Sequence, residues 1–333
     1  MTKAIALLSG GLDSTLAVKL ILNQGIEVEA INFISPFCTC TSSNSACLES
    51  KKAAGNLGIK LKVVNISREM LEMVKHPKYG YGKNMNPCLD CRIFTLKKAG
   101  EYLKEQGASF LITGEVLGER PMSQRRDAMR VVERDSGFEG LILRPLSAKL
   151  LSPTIPENEG LVDREKLLDI KGRSRKPQIA LAKEFGIKDY PCPAGGCLLT
   201  DPGFAKRMRD LMNHSPDFTL NEVHLLKMGR HLRLSPKAKT IVGRNEKENK
   251  KIFSFLQKGD FTYKVLNFPG PLTIVRGDLE DSLSELPASI TAAYSKAKNE
   301  KEINVSYKEY PSGRTGVFQV PPLKRERLEE LTI

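Results

Sequence analysis

Short apolar runs alternate with amphipathic segments along the first 150 residues. An apolar strand is predicted at Lys3–Leu8, and helical spacing over Ser14–Leu22 predicts a helix that ends near Asn23 and Gly25. The same pattern predicts strands at 27–34, 60–66, 110–113 and 141–144, with helices at 48–57, 92–106 and 128–134. Strands that alternate with helices predict an α/β fold with a doubly wound parallel sheet, which binds ligands at the carboxyl ends of its strands.

The pattern changes in the second half of the chain. Two more helices are predicted at 161–170 and 176–186, before a loop rich in proline and glycine at 191–197. After a basic helix at 203–212, short segments separated by glycines predict a small α+β domain. We therefore expect a first domain over 1–202, a linker helix over 203–219, a second domain over 220–322, and a charged, mobile tail over 323–333.

A glycine-rich turn joins the first predicted strand to the first helix. It reads Ser9-Gly10-Gly11-Leu12-Asp13-Ser14, so that backbone N–H groups and a helix N-terminus point at one spot. Asp13 would repel phosphates unless a divalent cation lay between them, which favours a nucleotide bound with Mg²⁺ over a bare phosphate site. The turn lacks the Lys-Ser/Thr pair of a Walker A loop and the third glycine of a dinucleotide site.

Composition and charge narrow the class of partner. The 333 residues are 40% hydrophobic and 27% charged, as in globular proteins, and the length suits two domains. The formal net charge of +13 favours a polyanion such as nucleic acid over a merely basic surface, and residues 227–251 hold nine Lys/Arg against two Glu. Without an apolar span or a leader, the protein is predicted to be cytoplasmic and unattached to membranes. Few aromatic residues (6%) and no Trp argue against a base-stacking surface.

The seven cysteines form three groups rather than a disulfide framework. Cys88 and Cys91 form a CxxC pair at the start of a predicted helix, where the helix N-terminus is expected to lower a thiol pKa. Cys192 and Cys197 lie in the proline-rich loop, and Cys38, Cys40 and Cys47 follow the second strand. All three groups are expected near the glycine-rich turn. They could bind structural Zn²⁺ or carry reactive sulfur.

Four segments together resemble the PP-loop tRNA thiolation enzymes. They are the SGGLDS turn, NPCLDCR at 86–92, TGEVLG at 113–118 followed by Ser123-Gln124, and LRPL at 143–146. The third and fourth are most similar to 4-thiouridine synthetase, and NPCxxC is similar to the 2-thiouridylase branch. The resemblance covers about residues 1–200. It implies that ATP, cleaved between its α and β phosphates, adenylates a uracil carbonyl that sulfur then replaces.

The resemblance also implies roles for individual residues. Those expected to bind the ATP phosphates and Mg²⁺ are Ser9, Gly10, Gly11, Asp13 and Ser14, with Asp13 also catalytic. Thr113, Gly114 and Glu115 are expected to line the same crevice. Cys88, Cys91 and Cys197 are expected either to ligate a [4Fe–4S] cluster with one open iron that holds hydrosulfide, or to supply a persulfide pair. Cys197 is preferred to Cys192 because Gly195 and Gly196 allow close approach.

The C-terminal region resembles the NFACT RNA-binding domain at 229–234, 241–249 and 267–271. RNA, in particular tRNA, is the expected partner, with phosphate contacts from Arg230, Arg233, Arg244, Lys247 and Lys250. The expected external sulfur donor is a cysteine desulfurase or sulfide. Two alternatives stay open, a PP-loop ligase that uses ammonia and a non-catalytic RNA-binding factor regulated by nucleotide. The oligomeric state and the modified uridine do not follow from the sequence.

Overall fold

The computed structural model describes residues 2–38, 46–188, 190 and 197–333, with the side chains of 46–48 left aside. The chain divides into two compact units, Met1–Thr200 and Asp201–Ile333. The division lies two residues from the expected end of the first domain. The segment expected as a linker helix belongs to the second unit.

A parallel sheet organises the first unit. Its strands are β1 (Lys3–Leu7), β2 (Glu27–Ile34), β3 (Leu61–Asn65), β4 (Phe110–Thr113) and β5 (Ile142–Leu143), and their spatial order is β3-β2-β1-β4-β5. The helices are α1 (Leu12–Leu22), α2 (Ala46–Leu57), α3 (Ser67–Lys75), α4 (Cys88–Glu105), α5 (Arg126–Ser136), α6 (Ile155–Asn158) and α7 (Lys176–Glu184). All four strand pairs are parallel, which confirms the predicted α/β class.

Helices cover both faces of this sheet, as the alternating side chains of β1 require. Ala4 and Ala6 belong to the core that contains Leu12 and Leu16 of α1, whereas Ile5 packs in the core of α4 on the opposite face. The five residues of β1 are apolar apart from Lys3 because both faces of the central strand are covered. The sheet is therefore doubly wound.

One predicted helix of the first unit is wrong. Residues 161–170 contain only a short 3₁₀ turn, Arg164–Lys166. The Leu168 and Ile170 N–H groups donate to the carbonyls of Pro145 and Leu146, at 3.0 and 2.8 Å. The segment thus runs as an extended backbone beside the chain after β5. Its apolar residues reach the core from this extended backbone rather than from a helix.

The second unit is an antiparallel sheet with helices, which confirms the predicted α+β class. Its strands are β6 (Arg230–Ser235), β7 (Ala238–Val242), β8 (Phe261–Val265), β9 (Thr273–Gly277), β10 (Ile303–Glu309) and β11 (Thr315–Val320), in the order β11-β10-β8-β9-β7-β6. Its helices are α8 (Pro202–His214), α9 (Leu220–Leu225), α10 (Glu246–Phe253), α11 (Leu286–Ala293) and α12 (Arg325–Leu331).

The expected mobile tail instead contains α12. Leu328 and Leu331, three positions apart on this helix, pack against the core of the second unit, and Thr332 forms a β-bridge with Leu232. The charged residues between them stay exposed. Elsewhere, no helix in the described part of the chain is long and apolar enough to cross a membrane.

Candidate functional site

The glycine-rich turn after β1 is held in one shape by its own hydrogen bonds. Gly11 precedes α1, and its carbonyl accepts from Ser14 Oγ at 2.9 Å and Thr15 Oγ1 at 3.0 Å, while Ser9 Oγ lies 3.1 Å from Ser14 Oγ. Gly10 has a φ of +82°, and a Cβ there would lie 2.6 Å from the Ser50 nitrogen. Glycine is therefore required at position 10 both for conformation and for space.

The segment after β4 packs directly on this turn. A Cβ on Gly114 would lie 2.4 Å from the Ser14 nitrogen and 2.6 Å from the Asp13 carbonyl carbon, so only glycine permits this approach. Thr113 is buried, and its Oγ1 donates to Glu115 Oε2 at 3.2 Å. Two segments 100 residues apart in the sequence thus meet at the carboxyl edge of the sheet.

The Asp13 carboxylate lies among polar atoms that have no partner. Its Oδ1 and Arg175 Nε are buried without a hydrogen bond within the described residues, and the fully buried Gln178 side chain lies beside the carboxylate. Burial raises the pKa of Asp13, and the positive charges of Arg175 and Arg120 partly oppose the rise. Burial and the Asp13 charge likewise raise the pKa of Glu119. Unsatisfied buried groups are costly, and a bound ligand would supply their missing partners.

Sequence reasoning missed Arg120, Arg175 and Gln178. The Leu117–Lys171 bridge brings the segment before α7 beside the TGEVLG segment, and α7 packs on α1. Two signals could have indicated these residues. Arg120 follows TGEVLG by two positions, and Arg175 and Gln178 have the i, i+3 spacing of one helical face at the start of a predicted helix.

Glu115 lies in a buried charge network rather than in an open crevice. Its Oε1 accepts from Arg92 Nε at 2.9 Å, and its Oε2 accepts from Arg144 Nε at 2.9 Å. Arg144 also pairs with Glu133. Although burial opposes ionisation, the two guanidinium groups lower the pKa of Glu115. The carboxylate is therefore engaged with protein groups, and it links α4 to the segment after β4.

The structure brings together the three cysteines expected to act on sulfur, and it adds Cys38. Cys88 and Cys91 occupy the first turn of α4, while the Leu198 N–H donates to the Phe37 carbonyl at 2.8 Å and so holds Cys197 beside Cys38. Besides burial, electrostatic interaction with Cys38 and Cys88 raises the pKa of both Cys91 and Cys197, which requires the four residues to lie close together. Cys40 and Cys192 lie outside the described residues, as does the side chain of Cys47.

At Cys91, burial outweighs the effect that was expected of the helix N-terminus. Burial raises the pKa of Cys91 to about 12 and that of Cys197 also to about 12. Both groups are therefore neutral thiols at physiological pH. Helix-terminus stabilisation is too small to offset the loss of hydration of a buried thiolate.

The cysteine group has the donor chemistry that an iron–sulfur cluster uses. Its four members are thiols, and cluster ligands bind different irons, so their sulfur atoms need not converge on one point. Among the described residues, no three His, Cys, Asp or Glu side chains are arranged to hold a single metal ion.

Most of the cations expected to contact RNA already have partners in the second unit. Arg233 is largely buried and binds Asp210, with Nε 3.0 Å from Oδ1, and Arg244 binds Glu248. Lys250 pairs with Glu246 at 2.6 Å, and the Arg230 guanidinium lies 4.8 Å from the Tyr294 ring centre. Lys247 is exposed.

Comparison with known proteins assigns the two regions separately. Residues 1–149 match the family model of the thiamine biosynthesis protein ThiI, and residues 229–332 match that of the NFACT protein RNA binding domain.

Individual relatives and a solved structure match parts of the chain. A probable tRNA sulfurtransferase of Thermoanaerobacter sp. (strain X514) is 34% identical over 148 residues, which are 43% of this chain and 36% of that protein. A tRNA-specific 2-thiouridylase of Sulfurimonas denitrificans is 34% identical over 124 residues, 35% of this chain and 36% of that protein. The chain thus spans about a third of the length of these relatives. A 4-thiouridine synthetase–RNA complex with bound ATP matches 56% of this chain and 52% of its own, at 20% identity and a TM-score of 0.36.

These matches extend over the glycine-rich turn, Cys88 and Cys91 in the first region, and over the antiparallel sheet in the second. Residues 1–149 are thus similar to the ThiI family, and residues 229–332 are similar to the NFACT protein RNA binding domain.

Proposed function

We propose that this protein is an ATP-dependent RNA sulfurtransferase that acts on a tRNA uridine. The proposal rests on one observation. A continuous set of contacts connects the glycine-rich turn to the cysteines. Cys91 is followed by Arg92, Arg92 binds Glu115, and the adjacent Gly114 packs on Ser14. An activated carbonyl and the sulfur that attacks it must meet, and this arrangement puts the residues proposed for the two tasks on one rigid support.

In the proposed first step, a uracil carbonyl oxygen attacks the α phosphorus of ATP. The new O–P bond forms as the bond to the bridging oxygen breaks, and pyrophosphate leaves. Ser9, Gly10, Gly11 and Ser14 hold the phosphates through N–H and hydroxyl groups, while Asp13 would hold Mg²⁺. Arg175 and Arg120 are the cations placed to balance the remaining phosphate charge.

In the proposed second step, sulfur adds to the adenylated carbon and AMP leaves. If Cys88 or Cys91 carries a persulfide, its terminal sulfur forms the new C–S bond. The Cys197 sulfur then attacks the inner sulfur as its proton passes to the departing thionucleoside, which is released and leaves a disulfide for an external dithiol to reduce. Alternatively, Cys88, Cys91 and Cys197 would hold a [4Fe–4S] cluster, which when bound supplies an iron able to carry sulfide from a cysteine desulfurase or free sulfide.

The cysteine group favours this function over the two alternatives. An amidating ligase would need none of the four thiols of the cysteine group, and a nucleotide-regulated binding factor would need no second reactant. The NFACT-type domain supplies the expected affinity for RNA.

The test uses full-length protein with tRNA, ATP, and a cysteine desulfurase with cysteine as the sulfur donor, under anaerobic conditions with a dithiol present. We expect tRNA-dependent release of pyrophosphate and a thionucleoside detectable by mass spectrometry. Asp13→Asn should abolish both products, and the exposed control Asp169→Asn should abolish neither. Pyrophosphate release without a thionucleoside would point to the ligase, and neither product from the wild type would point to the binding factor.

A further inference from the structure

The second unit contains a cleft between α10 and the loop that joins β8 to β9. Its volume is about 550 Å³, within the usual range of small-molecule sites, about 300–1,000 Å³. The side chains that determine its chemistry are Asn249, Lys250, Phe253, Lys264, Phe268 and Pro271. We call it the aromatic cleft.

Two phenylalanines of the aromatic cleft are unusually exposed. Phe253 at the end of α10 is 53% exposed and Phe268 is 44% exposed, although large apolar side chains are normally covered. Asn267 places Phe268 outward through a left-handed backbone, with a φ of +63°. Asparagine adopts this conformation more readily than most non-glycine residues, which suits a turn that leaves Phe268 at the surface.

The wall behind these rings is rigid. Asn249 Oδ1 accepts from the Leu272 N–H at 3.1 Å, and a Cβ on Gly243 would lie 2.0 Å from the same oxygen. A Cβ on Gly270 would likewise lie 3.2 Å from Ser295 Cβ. The aromatic cleft is therefore preformed, which reduces the entropy lost when a ligand binds.

The charge of the aromatic cleft selects the kind of ligand. Two lysines line it, and none of its described lining residues is acidic. Lys264 is exposed on β8, and Lys250 forms an exposed pair with Glu246 that contributes little and can be exchanged for a phosphate. Exposed rings with cations and no acid suit a planar, apolar group attached to an anion.

We propose that the aromatic cleft binds an unpaired nucleotide of the RNA, its base stacked on Phe253 or Phe268 and its phosphates on Lys250 and Lys264. The inference rests on the proposed role of the second unit in RNA binding. It gives this domain a contact with bases as well as with phosphates. A folded RNA that offers a single-stranded end or loop would thereby be preferred to a continuous duplex.

The protein has no tryptophan, so a single one can report on the site. We would introduce Phe268→Trp into the full chain and titrate it with a short oligouridylate. Its emission should be quenched, because the base stacks on the indole. A backbone of the same length with abasic riboses should not quench it. Ile155→Trp, 41% exposed on α6 of the first unit, should not respond to either probe.

The double variant Phe253→Ala/Phe268→Ala should bind oligouridylate roughly tenfold more weakly with an unchanged salt dependence. Lys250→Ala/Lys264→Ala should instead reduce the salt slope by about two. Unchanged affinity in the phenylalanine variant, or equal quenching by the abasic backbone, would overturn the inference. Quenching without thiolation of tRNA would overturn the proposed function and leave the aromatic cleft in place.

Discussion

Arg92 and Glu115 form an ion pair, with Nε 2.9 Å from Oε1, that joins the cysteine-bearing helix α4 to the segment after β4. Glu115 also binds Arg144, whose side chain is only 3% exposed. Arg92 directly follows Cys91, and Glu115 directly follows Gly114, so the pair connects these two segments. It therefore fixes the distance between the cysteine group and the glycine-rich turn.

Removing this carboxylate should destabilise the first unit. Glu115→Ala leaves the buried guanidinium of Arg144 without its main partner, and breaking a buried pair costs about 3–5 kcal/mol of unfolding free energy. Glu105→Ala, which breaks the exposed Lys62–Glu105 pair, should cost less than about 1 kcal/mol. Urea unfolding of both variants measures the difference, and equal losses would contradict a special role for Glu115.

A methyl group at position 114 should separate the two halves of the site. Gly114→Ala would force a Cβ to within 2.4 Å of the Ser14 nitrogen, so we expect loss of ATP binding and a lower melting temperature. Gly55→Ala is the control, because this helical glycine has open space around it. The control should raise the unfolding free energy by up to about 1 kcal/mol. Calorimetric titration with ATP measures the binding, and normal affinity in Gly114→Ala would refute the proposed contact.

The cysteines can be distinguished one at a time. Cys197→Ser should abolish tRNA thiolation by either route. Cys88→Ser and Cys91→Ser should both abolish it if a cluster forms, whereas only one of them should do so if a persulfide carries the sulfur. If these three residues hold a cluster, each variant purified anaerobically should also lose the iron and the broad absorption of the wild type. Cys38→Ser should then retain the absorption, because it would not be a ligand.

Iron analysis of the wild type decides between the two routes. A wild type that is free of iron yet active would assign sulfur transfer to a persulfide. Loss of iron in Cys38→Ser would instead make Cys38 a ligand.

Two basic residues of the second unit should behave differently when their charge is reversed. Lys247→Glu removes an exposed cation and should reduce RNA affinity and its salt slope without changing stability. Arg233→Glu breaks the Asp210 pair inside the domain, so it should lower the unfolding free energy by several kcal/mol. Thermal unfolding and RNA titration of each variant would separate the effects. If the Arg233→Glu variant is stable but binds RNA more weakly, Arg233 contacts the RNA directly.

Lys239 gives the second unit a specific dependence on pH. It is 4% exposed, lies between Arg233 and Arg276 across the sheet, and its Nζ has no partner in the described residues. Burial and the positive charges of the two arginines lower the pKa of Lys239 to about 8. The carboxylates of Glu222 and Asp210 partly oppose this decrease. Unfolded protein therefore binds more protons than folded protein between pH 8 and 10.5, and this group makes stability rise with pH across that window.

Lys239→Met should remove the cost of burying this amine. At pH 7 the variant should exceed the wild type in unfolding free energy by on the order of 3 kcal/mol. The difference should shrink as pH rises through the window, since the wild-type lysine becomes neutral. Denaturant unfolding at several pH values measures it. A difference that is constant with pH would show that packing, rather than charge, accounts for the change.

The sequence by itself determined the parallel sheet, the glycine-rich turn and the likeness of both regions to known families. These features depend on local signals. Apolar runs between helical patterns define strands such as Phe110–Thr113, whose predicted and observed bounds agree, and adjacent glycines with Asp13 define the turn. The helix predicted at 161–170 failed because its apolar residues have a spacing that an extended segment can also bury.

Only the tertiary structure decided which charged and aromatic side chains remain available. Glu115 and Arg233 look like site residues in the sequence, but each is hydrogen-bonded to a partner 23 or more positions away. Arg175 and Gln178 carry no motif, yet the fold brings both side chains to Asp13. Low aromatic content argued against stacking on bases, whereas exposure of Phe253 and Phe268 depends on packing, which composition does not encode. Pairing and exposure are properties of contacts distant in sequence, and those contacts exist only once the chain has folded.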